Sequence, residues 1–175
     1  MKFYIIECKS KAKFPIVGWL IQLIQGCLNF HHYALIIETN DGKHYTYDAS
    51  SRTLHRESIE NFADKYEIVR TYEIPYSIDQ SAFFRWIFPL EGTVYGHSQI
   101  LGLFLMVLNL YTKNPFPNGM NKLICNEFVL SCLHTFQVLD IPNIENYDLV
   151  KTRKLLESNF ESVDIYQILS SYNIR

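Results

Sequence analysis

The chain has 175 residues, 48% of them hydrophobic, and its 12 tyrosines and 12 phenylalanines exclude a disordered polypeptide, which lacks the apolar side chains that offset the entropy lost on ordering. The formal net charge is -2 and the lysines and arginines are dispersed, so we expect no nucleic-acid partner. A chain of this length fits one domain, and we expect residues 1–175 to share a single hydrophobic core.

The first half of the chain predicts two strand regions separated by a helix. Residues 3–8 form a run of β-branched and aromatic side chains, which favours a strand. Residues 14–29 carry apolar side chains at helical spacing. Residues 31–50 predict two strands of a hairpin joined at the Asn-Asp-Gly sequence 40–42, because an Asp-Gly pair supplies the positive φ angles of a tight turn.

The second half predicts mainly helices, and Ser77 is the expected N-cap of one of them. The expected helices span 57–66, 77–88, 97–112, 124–138 and 144–159, and the expected strands span 67–74 and 161–168. An antiparallel sheet with helices before and after it makes the expected fold class α+β.

Cysteine usage and apolar runs bear on the compartment. The four cysteines include no Cys-x-x-Cys pair and are too few for a disulfide scaffold in a chain of this length. We see no secretory signal, and the longest apolar runs fall short of the roughly 20 residues that cross a bilayer. We therefore expect a cytoplasmic protein, in a bacterial or a host cell, although contact of residues 16–28 with a membrane surface stays open.

Cys125 is the cysteine whose position favours chemistry. It lies in the first turn of the predicted helix 124–138, where unpaired backbone N–H groups favour a thiolate and can also bind an oxyanion. Cys132 lies two turns deeper and is expected to be buried. An isolated cysteine is most often a small core residue. The position of Cys125 at a helix start favours a reactive role for it, whereas Cys132 is expected to be a core residue.

A base for this thiol is expected from the hairpin. Alternation along a strand puts His31 and His32 on opposite faces, so only one of them can face a given site. Asp48, near the end of the second hairpin strand, could orient that imidazole as the third member of a triad. The hairpin alone fits equally an edge histidine and a turn aspartate.

Four motifs in chain order carry a family resemblance. They are HHYALIIE, YDAS, VYGHSQILGLFLMV and ICNEFV, which begin at positions 31, 47, 94 and 124. The chain resembles the circularly permuted branch of the NlpC-type papain-like superfamily, which includes bacterial and viral hydrolases and is akin to lecithin:retinol acyltransferase. As in that branch, the histidine strand precedes the cysteine helix, and the resemblance covers nearly the whole chain. Asn126 and Asp48 depart from it, because Ser and Glu are more usual there.

The resemblance implies a papain-like fold and a Cys-His-Asp triad. Cys125 would be the nucleophile, His32 rather than His31 the base, and Asp48 the residue that orients His32. The implied reaction is hydrolysis of a peptide-like, cell-wall or lipid-linked amide or ester through a thioacyl-enzyme, with acyl transfer to another acceptor as an open alternative. No cofactor is implied.

Further residues have expected roles around this triad. The backbone N–H of Cys125, with Tyr33 or another donor, would bind the oxyanion. Tyr95 and His97, which flank the glycine of the Tyr-Gly turn, would line the substrate pocket, although the sequence favours a helix-cap or surface role for His97. Glu127 is expected to stabilise the helix start rather than to transfer protons.

The sequence also bears on alternative functions, on a metal site and on the apolar residues 101–110. The scaffold could be a catalytically silent binding or virion-associated module, or a peripheral membrane protein. No histidine or cysteine pair has zinc-like spacing, so no metal site is expected. Residues 101–110 are apolar on nearly all sides, which is typical of a core helix and equally of an acyl-chain groove.

Overall fold

The computed structural model describes residues 1–12, 21–22, 29–50, 53–116 and 122–165. The strands are β1 Lys2–Ser10, β2 His32–Glu38, β3 His44–Ala49, β4 Leu54–Ser58, β5 Tyr66–Ile74, β6 Val94–Tyr95, β7 Lys122–Leu123 and β8 Ser162–Val163. The α-helices are α1 Ile59–Lys65, α2 Gln80–Ile87, α3 His97–Val107, α4 Cys125–Thr135 and α5 Leu149–Asn159, with 3-10 turns at Phe88–Leu90 and Ile144–Asn146.

Six strands form one antiparallel sheet in the order β4-β3-β2-β1-β5-β8. The short strands β6 and β7 form a separate parallel pair. The two central strands, β1 and β2, are almost continuously buried, as their β-branched and aromatic composition predicts. The α+β class with an antiparallel sheet packed against helices is therefore confirmed.

Alternation along β2 distributes its side chains between two cores. Leu35 and Ile37 belong to the larger core, which also contains Phe128 of α4. Ala34 and Ile36 lie in a second core with Phe62 of α1. The sheet thus has a helix on each face, and β2 contributes to both layers.

The predicted hairpin is confirmed, with a different turn. β2 and β3 are antiparallel neighbours, and the backbone N–H of Gly42 donates to the Thr39 carbonyl at 2.9 Å. Only Gly42 has a positive φ, 76°, in this turn, whereas the two-residue type I′ turn typical of an Asp-Gly pair would need two such residues. The connection is therefore one residue longer than the tightest hairpin turn.

Other elements differ from the prediction in ways that local chemistry explains. Asp79, not Ser77, caps α2, because its carboxylate accepts from the Ala82 backbone N–H at 2.7 Å. β4 was not predicted, because four of the five side chains in Leu54–Ser58 are polar and the sequence therefore shows no alternation of apolar and polar residues. The predicted helix 14–29 lies outside the described residues except at 21–22, which are helical, and at Asn29, which is a bend.

Helix α3 does not fit the core-helix prediction for 101–110. It ends at Val107, and its buried residues are Gln99, Gly102 and Leu103. Its other side exposes Leu101, and Leu108 and Leu110 beyond its end are also exposed, at 50% and 63%. An all-round apolar sequence here therefore gives a surface helix with an apolar outer face.

Candidate functional site

Cys125 is the first residue of α4 and is 4% exposed. The strand β7 leads directly into this helix and pairs with β6, which sets Tyr95 opposite Leu123. The Gly96 backbone N–H donates to the Leu123 carbonyl at 3.0 Å, which holds the two segments in register. The parallel pair therefore brings the Tyr-Gly turn to the start of the cysteine helix.

His32 and Asp48 meet on one face of the β2–β3 hairpin. Asp48 lies opposite Ala34, two residues after His32, so His32 and Asp48 are diagonal neighbours on the same face. The Nε2 atom of His32 is hydrogen-bonded to Oδ1 of Asp48, and both side chains are buried. The hairpin register, set by the Asn-Asp-Gly turn, thus creates this pair.

Cys125 completes a hydrogen-bonded chain of three side chains, since His32 is also hydrogen-bonded to the Cys125 side chain. Burial lowers the pKa of His32, but the charges of Asp48 and Cys125 and hydrogen bonds to both outweigh it and raise that pKa to about 10. Nε2 is engaged by Asp48, which leaves Nδ1 as the ring nitrogen for the thiol. At neutral pH the arrangement favours an imidazolium beside the sulfur.

The Tyr95 side chain is also hydrogen-bonded to the Cys125 thiol. Burial, the charges of Cys125 and Asp48 and the hydrogen bond to Cys125 raise the pKa of Tyr95 well above its ordinary value. Its hydroxyl therefore keeps its proton and can donate to the sulfur. His97, the first residue of α3, is exposed and meets the Tyr95 ring edge to face at 5.2 Å between centroids.

Tyr66 stacks on His32, a contact that sequence reasoning missed. The two rings lie 5.2 Å apart with an interplanar angle of 18°. Tyr66 begins β5, two strands away from β2, and only the sheet order β2-β1-β5 brings them together. No motif marks Tyr66, and the sequence predicted it at the end of the helix 57–66 rather than in a strand, so no sequence signal pointed to this contact.

The Tyr33 hydroxyl is engaged by Glu7 and Leu149. Its hydroxyl donates to Oε1 of Glu7 at 3.2 Å and to the Leu149 carbonyl at 3.3 Å. Glu7 is fully buried and forms a bidentate ion pair with Arg153 of α5. Tyr33 therefore connects β2 to the ion pair that holds α5, and its expected role as an oxyanion donor stays a prediction.

Glu127 stabilises the start of α4, as expected. Its Oε2 accepts from the Ile124 backbone N–H at 3.4 Å, and its Oε1 accepts from Nε2 of Gln99 at 2.5 Å. Burial raises the pKa of Glu127 to about 7, although both hydrogen bonds oppose the shift. Glu127 thereby links α3 to the first turn of the cysteine helix.

Only one cluster in the described part of the chain has the donors of a metal site. Asp48, His55 and Glu57 each offer a ligand atom, all within 4.8 Å of one another. Cationic side chains already bind these carboxylates, because His32 engages Asp48 and Nζ of Lys65 lies 2.6 Å from Glu57. We therefore assign the cluster no metal.

Comparison with protein-family models, with curated proteins and with solved structures finds no match to this chain. Among the described residues, no helix has both the length and the apolar character needed to cross a membrane. The site's own geometry must therefore carry the functional argument.

Proposed function

We propose that the protein is a thiol hydrolase of the permuted papain-like type that cleaves an amide or ester bond. The observation that carries this proposal is the His32 side chain, which is hydrogen-bonded to both Asp48 and Cys125. An orienting acid, an imidazole and a thiol at a helix start are the parts that an activated cysteine needs. The order of histidine strand and cysteine helix fits the permuted arrangement.

The reaction proceeds by acyl transfer to sulfur. The Cys125 thiolate attacks the substrate carbonyl carbon, a C–S bond forms, and the C=O π electrons move to oxygen. When that pair returns, the C–N or C–O bond breaks and the leaving group takes a proton from His32. Water then gives a proton to His32 while its oxygen attacks the thioester carbon, and the C–S bond breaks, which releases the acid and restores the Cys125 thiolate beside the His32 imidazolium.

Peptide-like, cell-wall and lipid-linked amides or esters are the substrate classes we propose. Activity-based profiling with acyl-amide and cell-wall peptide probes distinguishes them. We expect one probe class to label the wild type and to leave Cys125→Ala unlabelled.

Thiol reactivity tests the proposal before any substrate is known. In a Cys27→Ser background, we expect iodoacetamide to label Cys125 much faster than Cys132 between about pH 5 and 9, because a thiol beside an imidazole at a helix start is activated for alkylation and a thiol in the core is not. Cys132 is fully buried in the core, and that burial raises the pKa of its thiol. Labelled peptides are quantified by mass spectrometry.

His32→Ala serves as the matched variant in this assay, and we expect it to slow Cys125 labelling at neutral pH. Equal labelling of Cys125 and Cys132 in the wild type would leave a catalytically silent module as the better description.

Contact with a membrane surface is a second candidate function, favoured by α3. Five large apolar side chains within 101–111 are 36% to 63% exposed: Leu101, Val107, Leu108, Leu110 and Tyr111. Exposed apolar clusters of this kind mark protein or membrane contacts. The same helix lines the thiol cavity through Ile100 and Leu103, so a bound lipid surface would lie close to the site.

Co-sedimentation with phosphatidylcholine vesicles tests this candidate. We expect the double variant Leu108→Glu/Leu110→Glu to lose binding and Cys125→Ala to retain it. Tyr76→Glu is the matched control, because Tyr76 is similarly exposed, at 53%, outside this helix. Binding that persists in the double variant would exclude the apolar segment 101–111, which spans the end of α3 and the residues after it, as the contact.

A further inference from the structure

His31 directly precedes His32 but lies outside β2, which begins at His32, so the strand alternation expected to separate the two histidines does not extend to it. The proposed mechanism gives it no task. It lines a cavity of about 20 Å³ that is also lined by Cys125 and Asn126. That volume holds one water molecule or one carbonyl oxygen. Most of the other lining residues are apolar: Ile21, Ile100, Leu103, Ile124 and Leu149, with Tyr95 beside them.

The hydrogen bonding of His31 determines where its proton lies. The Ser10 backbone N–H donates to Nε2 of His31 at 3.3 Å, so Nε2 is the unprotonated nitrogen and Nδ1 carries the hydrogen. Nδ1 is buried and has no hydrogen-bond partner among the described residues. A buried donor without an acceptor costs about 1–3 kcal/mol, so this atom calls for a ligand acceptor.

The ring stays neutral, which preserves this tautomer. Burial, assisted by the positive charge of His32, lowers the pKa of His31 to about 4. At pH 7 the residue is therefore a neutral imidazole with its N–H on Nδ1, while its neighbour is positively charged. His31 can therefore donate a hydrogen bond from Nδ1. Because it is a weak base, it does not take the proton that His32 holds next to Cys125.

We propose that the Nδ1–H of His31 is the side-chain donor of the oxyanion hole, which binds the carbonyl oxygen of the scissile amide or ester. This inference rests on the proposed function. As the C–S bond forms and the π electrons move to oxygen, the Nδ1–H of His31 donates a hydrogen bond to the negative charge that develops on that oxygen. No proton is transferred between His31 and the oxygen. Backbone N–H groups in the first turn of α4, which have no partner within the helix, supply the second donor.

Two reactions of the same thiol isolate this role. Hydrolysis of p-nitrophenyl butyrate passes through an oxyanion, whereas alkylation by iodoacetamide needs the thiolate and forms no oxyanion. We expect His31→Leu to lower kcat for the ester by about 100-fold, the usual effect of removing one oxyanion donor. We expect its KM for the ester and its rate of Cys125 alkylation to stay close to those of the wild type.

His31→Asn is the matched variant, because its side-chain amide returns an N–H near the position of Nδ1. We expect it to recover most of the lost kcat, which a merely structural role of the imidazole would not produce. A wild-type kcat in His31→Leu, or a loss of kcat matched by an equal loss of alkylation, overturns the inference while the proposed function stands. A wild-type Cys125 no more reactive than Cys132 overturns both.

Discussion

Two adjacent histidines differ in charge because their neighbours differ: at neutral pH His32 is positively charged and His31 is neutral. His32 meets the Asp48 carboxylate and the Cys125 thiol, which together raise its pKa against the effect of burial. His31 is turned toward the Ser10 backbone N–H and feels the positive charge of His32 instead. One dipeptide thus supplies a cation for the thiolate and a neutral donor for the carbonyl.

Asp48→Asn tests the source of the charge on His32. The folded-state pKa of His32 is raised, so the imidazolium persists through neutral pH and is lost only as the pH rises toward about 10. Without the Asp48 charge we expect the imidazole to titrate at least about one pH unit lower, the usual effect of an adjacent opposite charge. Histidine NMR signals followed from pH 5 to 11 give the measurement.

Asp41→Asn is the control for this titration, because Asp41 lies exposed in the turn of the same hairpin. An unchanged His32 titration in Asp48→Asn would mean that the carboxylate does not hold the imidazolium.

At the scale of elements, the start of α4 depends on a contact with α3. Glu127 accepts from Gln99 and from the Ile124 backbone N–H. A Cβ added to Gly96 would lie 2.2 Å from Oε1 of Gln99, so the turn before α3 must carry glycine for this contact to form. The Tyr-Gly turn therefore positions Tyr95 at the thiol and also leaves room for the side chain that braces the cysteine helix.

Glu127→Gln tests this brace through the pH dependence of stability. Because its folded-state pKa is raised from 4.5 to about 7, Glu127 contributes stability below pH 4.5 that is lost as the pH rises through 7. We expect the variant to flatten this decline in the free energy of unfolding, by at most about 3 kcal/mol. Urea unfolding at pH 5, 6, 7 and 8 measures the slope.

Glu60→Gln, in the exposed first turn of α1, is the matched control for these titrations. A slope in Glu127→Gln equal to that of the wild type would mean that the carboxyl is solvated as in the unfolded chain.

At the scale of the whole molecule, the ion pair between Glu7 and Arg153 joins β1, a central strand of the sheet, to α5, 146 positions later in the chain. Both Tyr33 and Tyr72 donate to Glu7, and the Arg153 guanidinium lies 4.2 Å from the centroid of the Phe30 ring. The network therefore connects β1, β2 and β5 with α5.

Arg153→Leu should destabilise the fold by about 3–5 kcal/mol, because it leaves Glu7 charged and buried without its partner. Denaturant unfolding provides the measurement. Arg70→Leu is the matched control on the neighbouring exposed pair with Glu157, and we expect it to cost no more than about 1 kcal/mol. Equal losses in the two variants would contradict a buried role for the Glu7 pair.

The local elements near the site were largely predictable from the sequence. The hairpin follows from its alternating strands and Asn-Asp-Gly turn, and the helix at Cys125 from its polar start and apolar continuation. The meeting of His32 and Asp48 also follows from the hairpin, because a short turn sets the register of adjacent strands. The catalytic roles of these residues stay a proposal.

By itself the sequence determined the α+β class, the hairpin and the choice of candidate thiol, because these depend on periodicity and turn chemistry within about twenty residues. Only the tertiary structure decided that Tyr66 stacks on His32, that Tyr33 serves the Glu7 ion pair, and that His31 lines the thiol cavity. These contacts join strands and helices that are distant in the chain. Sheet order and helix packing create them, and neither is encoded in any local pattern.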